Sequence, residues 1–107
     1  MKRAKLDDFR QFDDSRFTKK TIFHGEGGAF FVLNFLPGQS IPPHKHPGSR
    51  VTLWVREGSG TIRVDGEEQD IQAGDAVQCE GDEEMSIRNP GASPMCVVVC
   101  LAAVPGS

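Results

Sequence analysis

Apolar and polar residues alternate along this chain in short runs separated by turn residues. The runs are TIFH, AFFVLNFL, VTLWVRE, TIRVDG, DIQAGDAVQCE, MSIRNP and MCVVVCLAAV, and none sustains the 3.6-residue period of an amphipathic helix. The clearest is VTLWVRE, which sets Val51, Leu53 and Val55 on one face and Thr52, Trp54 and Arg56 on the other, as a half-buried strand requires. Turn chemistry punctuates the runs. Gly58-Ser59-Gly60 predicts a tight reversal into Thr61–Val64. Asp65-Gly66 predicts a two-residue hairpin, because a type I′ turn needs positive φ. Gly74-Asp75 and Asn89-Pro90-Gly91 predict two further turns. Short strands at steady spacing predict an all-β sandwich or barrel. Residues 1–17 are charged with Leu6, Phe9, Phe12 and Phe17 interspersed, which predicts an N-terminal arm that packs on a neighbour, or a short helix. Residues 18–107 then form the barrel domain.

Composition narrows the function classes. With 107 residues there is room for one domain, which buries roughly 60–70% of its unfolded surface. The net charge is −3, from 12 basic and 15 acidic residues spread along the chain, a balance that argues against a nucleic-acid partner. No apolar run reaches the roughly 20 residues of a membrane span. The opening MKRAKLDDFRQFDDSR has no apolar segment behind its basic residues, so a secretory signal is not expected and the reading is cytoplasmic. The cysteines agree, being odd in number: Cys79, Cys96 and Cys100. On a strand, Cys96 and Cys100 face the same way about 13 Å apart, too far for a disulfide. They read as small buried hydrophobes.

Candidate chemistry gathers in PGQSIPPHKHPGSR. Two residues apart on a strand, His44 and His46 project to the same side with Cβ atoms roughly 6.5–7 Å apart, so two ring nitrogens can meet at one ion at about 2.0–2.1 Å. Pro42 and Pro43 restrict the preceding backbone to extended forms. Two neutral ligands are fewer than the three or four of ordinary zinc centres; a hydrogen-bonding pair in a ligand pocket is the alternative. Met85 offers a thioether that suits copper, Cys79 a thiolate, and His24 a third imidazole, although the plainer reading for Met85 is packing and for His24 a core or surface role. The acidic run Glu80–Glu84 matches no calcium loop and reads as a solvated turn. Trp54 is expected to pack against the second sheet or a dimer partner. There is no phosphate-binding glycine loop and no G-x-S-x-G elbow.

The stretch Gly38-Gln-Ser-Ile-Pro-Pro-His44-Lys-His46 followed by Gly58 resembles the first motif of the cupin family, G-x5-H-x-H-x3–4-E-x6-G. The stretch from Gly74-Asp75 through Gly81 to Asn89 resembles the second, G-x5-P-x-G-x2-H-x3-N. The resemblance spans Pro37 to Asn89 and implies a single-domain jelly-roll β-barrel, a homodimer, and a metal held by three histidines and a glutamate. Only two of those four ligands are present. Counting back seven from Gly58 places Val51 at the glutamate position, and counting back four from Asn89 places Met85 at that of the third histidine. The expectation is therefore a reduced site in which His44 and His46 bind one transition-metal ion (Cu, Ni, Zn or Fe). Its apolar pocket is lined by Val51, Val55, Met85 and Ile87, with Arg50 to recognise an anionic group. Two function classes follow, with a purely structural dimer behind them: a metal-dependent enzyme of dioxygenase or isomerase type acting on a small organic molecule, or a non-catalytic barrel that binds such a molecule without a functional metal.

Overall fold

The alternating runs become strands. The computed structural model describes residues 1–105; residues 106 and 107, the end of the expected 18–107 barrel, lie outside the described residues. Nine strands occur among the described residues: β1 (Thr18–Gly25), β2 (Gly28–Phe35), β3 (Ser40–His44), β4 (Ser49–Glu57), β5 (Ser59–Val64), β6 (Glu67–Gln72), β7 (Ala76–Glu80), β8 (Met85–Arg88) and β9 (Met95–Ala103). They form two antiparallel sheets, ordered β1-β2-β9-β4-β7 and β3-β8-β5-β6. Facing each other, the sheets make the all-β jelly-roll barrel.

Between them lies one core, built from Phe31, Leu33 and Phe35 of β2, Val51, Leu53 and Val55 of β4, Met95, Val97 and Val99 of β9, and Ile62, Ile71, Cys79, Met85 and Ile87 from the shorter strands. Each fully buried side chain of this kind contributes about 1.5–3 kcal/mol. The period-2 reading of β4 holds throughout: Val51, Leu53 and Val55 are buried, while Arg50 and Arg56 are exposed.

Two turns show how far local chemistry reaches. Asp65 and Gly66 adopt φ of 48° and 85° and join β5 to β6 with Val64 opposite Glu67, the expected hairpin. Gly58 does something different. β4 and β5 belong to different sheets, so Gly58-Ser59-Gly60 is a corner between sheets and not a reversal within one. Gly58 has φ 79°, and a Cβ there would stand 2.2 Å from the Pro94 carbonyl oxygen.

The central strand β9 is apolar on both faces because both are covered. Its inner side chains join the core, and on the outer face Cys96 lies under the N-terminal segment. That segment makes a 3-10 turn at Leu6–Phe9 and is pinned to its own sheet. Asn34 Nδ2 donates to the Phe9 carbonyl at 2.9 Å, Arg56 pairs with Asp7 at 2.7 Å, and Arg10 forks onto Glu57, with Nη2 to Oε2 at 2.7 Å. The three cysteines are free. Trp54 lies on the outer face of its own sheet, its ring 5.8 Å from Phe30, because the β4 alternation turns it away from the second sheet. No helix among the described residues is long and apolar enough to cross a membrane.

Candidate functional site

The histidine pair owes its placement to a bulge. On β3, Ile41 stands opposite Ile87 and His44 opposite Met85, so three steps on one strand match two on the other. The extra residue falls at Pro42-Pro43, whose rings carry no N–H for the ladder. It returns His44 to the face that Ile41, Met85 and Ile87 share. His44 Nδ1 lies 2.8 Å from the Pro42 carbonyl oxygen. A carbonyl only accepts, so Nδ1 carries a proton and Nε2 is the nitrogen left to meet another partner.

His46 opens the turn into β4. Its backbone N–H donates to the Gly81 carbonyl at 2.8 Å, and its carbonyl accepts from Ser49 N–H at 3.1 Å. Gly81 is what allows this approach, since a Cβ there would sit 1.9 Å from the His46 carbonyl oxygen. The two imidazoles meet edge to face, with centroids 4.7 Å apart and planes at 89°. Burial, then the neighbouring His44 and Lys19, hold His46 below the ordinary histidine pKa. At neutral pH its ring keeps a lone pair to offer.

Lys19 acts electrostatically on His46, and the sequence reading passed over it. It pairs with Leu33 on the edge strand β1 and lays its ammonium 4.4 Å from the centroid of Phe31, a cation–π contact that holds a positive charge beside His46. A signal for it does exist in the sequence, since Lys19 and Thr21 share a face in TKKTIF. The side on which that face lies is set by a register shift between Thr21 and Phe23. Beyond the shift the faces exchange, and Phe23 stacks on Phe30.

The other expected residues sort clearly. Arg50 does not enter the barrel. It neighbours Val51, so alternation aims it outward, and it pairs with Glu80 at 3.1 Å, both side chains exposed. Val51, Val55, Met85 and Ile87 do face inward, yet at 2%, 1%, 3% and 1% exposure they form close-packed core in place of an open pocket. Met85 points its sulfur at Cys79, with Sγ to Sδ at 3.9 Å. His24 is exposed, opposite Ala29 past the β1 shift. Among the described residues no three His, Cys, Asp or Glu side chains gather around a common point, so neither Cys79 nor His24 supplements the pair. The donors present fit an ion held by two imidazoles with open positions. They do not fit a closed four-ligand centre.

Comparison with known proteins agrees with this fold. Residues 31–101 match the family model described as a cupin domain. The oxalate-binding protein of Thermotoga maritima is 31% identical over 72 residues, covering 67% of this chain and 60% of that protein. The chain spans about half the length of the curated relatives it matches. Among solved structures, the TT1209 protein of Thermus thermophilus superposes with a TM-score of 0.90 at 28% identity, over 98% of this chain and all (100%) of that one. An RmlC-like cupin protein from Desulfovibrio desulfuricans superposes with a TM-score of 0.85 at 25% identity, over 95% and 96%.

Proposed function

Since this chain belongs to the cupin family, we propose that it is a small-molecule-binding barrel in which His44 and His46 form a two-ligand metal site and Lys19 draws a small carboxylate to the mouth. One observation supports the reading: two imidazoles lie with centroids 4.7 Å apart, one with its Nδ1 turned to the Pro42 carbonyl and the other held below the ordinary histidine pKa, so each has a ring nitrogen left to offer a ligand. A divalent Cu, Ni, Zn or Fe ion bound there would supply Lewis acidity toward a carbonyl or carboxylate oxygen. The chain's own residues do the rest. His44 and His46 hold the ion, Lys19 attracts the anion, and Phe31 fixes Lys19. The relative named an oxalate-binding protein supports the carboxylate class. Dioxygenase or isomerase chemistry on a small organic molecule is the enzymatic form of this proposal.

A second reading rests on Lys19. A positive charge beside the pair opposes a cation and favours an anion, so the ligand carboxylate would lie directly on Lys19 and the imidazoles with no ion. The proposal further includes a cytoplasmic location, supported by three free thiols, and a homodimer, supported by the Phe23, Phe30 and Trp54 rings clustered on the outer face of the five-stranded sheet.

Metal analysis of untagged protein prepared without chelators, beside the His44→Ala/His46→Ala variant, tests the proposal. Wild type should bind one of these ions and rise in Tm with it by binding linkage, and the double variant should do neither. Equal and negligible metal in both, with no Tm response to Cu, Ni, Zn or Fe(II), would overturn the metal site. Carboxylate binding retained under those conditions would favour the second reading.

A further inference from the structure

The free edges of the two sheets, β1 and β3, border a groove of about 390 Å3 that includes Asp13, Arg16, Phe17, Lys19, Lys20 and Ile41. We propose that this groove is a binding site in its own right, selective for a small di- or tricarboxylate.

Charge is the first argument. The chain as a whole is acidic, at −3, yet this groove gathers three cations and one carboxylate. Arg10, Arg50, Arg56 and Arg88 are all ion-paired. Among the described residues, Arg16, Lys19 and Lys20 make no such pair, as is also true of Lys2, Arg3, Lys5, Lys45 and Arg63, but these three gather at one concavity. The groove's own carboxylate is held in place by Ser15: Asp13 Oδ1 accepts from both the Ser15 N–H at 2.8 Å and the Ser15 hydroxyl at 2.6 Å. Arg16 and Lys20 both act on the Asp13 carboxyl, which offsets part of their charge; the net positive charge that remains at a concave surface favours an anion.

Preorganisation is the second argument. The groove wall formed by residues 11–18 is not a loose tail. Gln39 Nε2 donates to the Asp13 carbonyl at 2.7 Å, while Gln39 Oε1 accepts from Leu36 N–H at 2.9 Å. The Thr18 hydroxyl donates to the Gln11 carbonyl, and Phe17 stacks on the buried Phe35 at 5.7 Å. Arg16 lies over the Phe17 ring at 5.5 Å. The cations are therefore mounted on a fixed wall, which lowers the entropy cost of binding.

The shape selects the ligand class. Phe17 and Ile41 add apolar surface to the lining, which suits a short carbon skeleton carrying more than one carboxylate. The volume is near the lower end of the roughly 300–1,000 Å3 of small-molecule sites. Lys19 borders the groove and also acts on His46, so the groove leads toward the histidine mouth while owing nothing to a metal there.

Titration of the full chain with citrate, succinate, inorganic phosphate and neutral succinamide, followed by amide NMR shifts at low salt, tests the site. Citrate and succinate should give saturable shifts at Thr18, Lys20 and Ile41, and succinamide none. Arg16→Glu/Lys20→Glu should weaken citrate at least tenfold, with Arg16→Gln/Lys20→Gln as the milder variant if charge reversal impairs folding. The His44→Ala/His46→Ala variant should bind citrate like wild type. Equal citrate affinity in the Arg16/Lys20 variants, shifts scattered over the surface, or equal binding of succinamide would overturn the site. Phosphate binding as tight as citrate would overturn the polycarboxylate assignment. Binding lost only in the histidine variant would overturn the groove and leave the mouth site standing.

Discussion

His44 and Met85 stand directly opposite one another across the β3–β8 ladder, so their side chains project from the same face. The fold thus holds position 85 next to the pair while the residue there donates no nitrogen. Met85→His should place a third imidazole beside the first two. The substitution sets a polar ring where Met85 packs in the core and should cost about 1–2 kcal/mol without metal. With a third ligand the apparent affinity for Zn or Ni should rise by an order of magnitude or more. Competition against a chromophoric chelator measures the gain. A variant that folds but binds metal no better than wild type would show that the fold does not direct residue 85 at the pair.

His46 supplies a pH dependence of definite sign. Its folded pKa lies below the ordinary 6.5, through burial first and then His44 and Lys19. An unfolded chain therefore takes up a proton at this residue before the folded chain does. Stability is present in full above about 6.5 and is lost as pH falls from there toward the folded pKa, below which it levels off. Wild type should lose more Tm between pH 7.5 and 5.5 than His46→Gln, and the His46 ring protons should titrate with a midpoint below 6.5. Lys19→Ala should move that midpoint upward, because one of the charges opposing protonation is gone. An unmoved midpoint would remove Lys19 from the mouth.

Gly81→Ala tests the link between backbone packing and the site. The added methyl would meet the carbonyl oxygens of His46 and Ser49 at 1.9 and 2.3 Å, and both are backbone atoms that yield only if the turn moves. A loss of roughly 2–4 kcal/mol is expected in chemical denaturation. Any folded fraction should also bind metal more weakly, since the turn carries His46. Unchanged stability would mean that the β7–β8 loop gives way at little cost.

Much of this was legible in the chain. Val51, Leu53 and Val55 announced their strand by alternation alone, and Asp65-Gly66 its hairpin, because both signals are local. The alternation also held the orientation of Arg50: a residue next to a core-facing valine points outward, whatever its value to a ligand would be. Other features depend on distant partners. Gly58-Ser59-Gly60 reads the same as a hairpin or a corner, and the difference lies in the Pro94 carbonyl that Gly58 must pass. Lys19 reaches the mouth only because β1 is an edge strand whose register shifts after Thr21. Of the two motifs, His44 and His46 are kept together with residues that shape the backbone. Asn89, for example, donates to the Phe35 and Ser93 carbonyls and accepts from Gly91 N–H. The ligand positions that changed are Val51 and Met85, which pack in the core. Sequence spacing therefore preserved the fold more faithfully than the ligand set.

The N-terminal segment gives a last prediction, read out through a thiol. Cys96 is buried, and its Sγ donates to Asn34 Oδ1 at 2.9 Å. The Asn34 amide in turn donates to the Phe9 carbonyl and to the Thr18 hydroxyl. Burial, then the charge of Glu57, pushes the Cys96 thiol up to about 11, so almost none of it is thiolate at pH 8. Iodoacetamide followed by peptide mass mapping should leave Cys96 unmodified in wild type, while the half-buried Cys100 reacts first. Deleting residues 2–10 removes the Phe9 carbonyl and the Arg10–Glu57 pair, opening the cover over Asn34 and Cys96. Labelling of Cys96 should then accelerate by an order of magnitude or more, and the Tm should fall, because the deletion leaves a buried amide short of one acceptor. Asn34→Ala provides the comparison: it removes the acceptor for the thiol while keeping the segment, and should raise reactivity less than the deletion. If Cys96 stays protected in the deletion variant, the sheet itself shields it and the arm serves some other end.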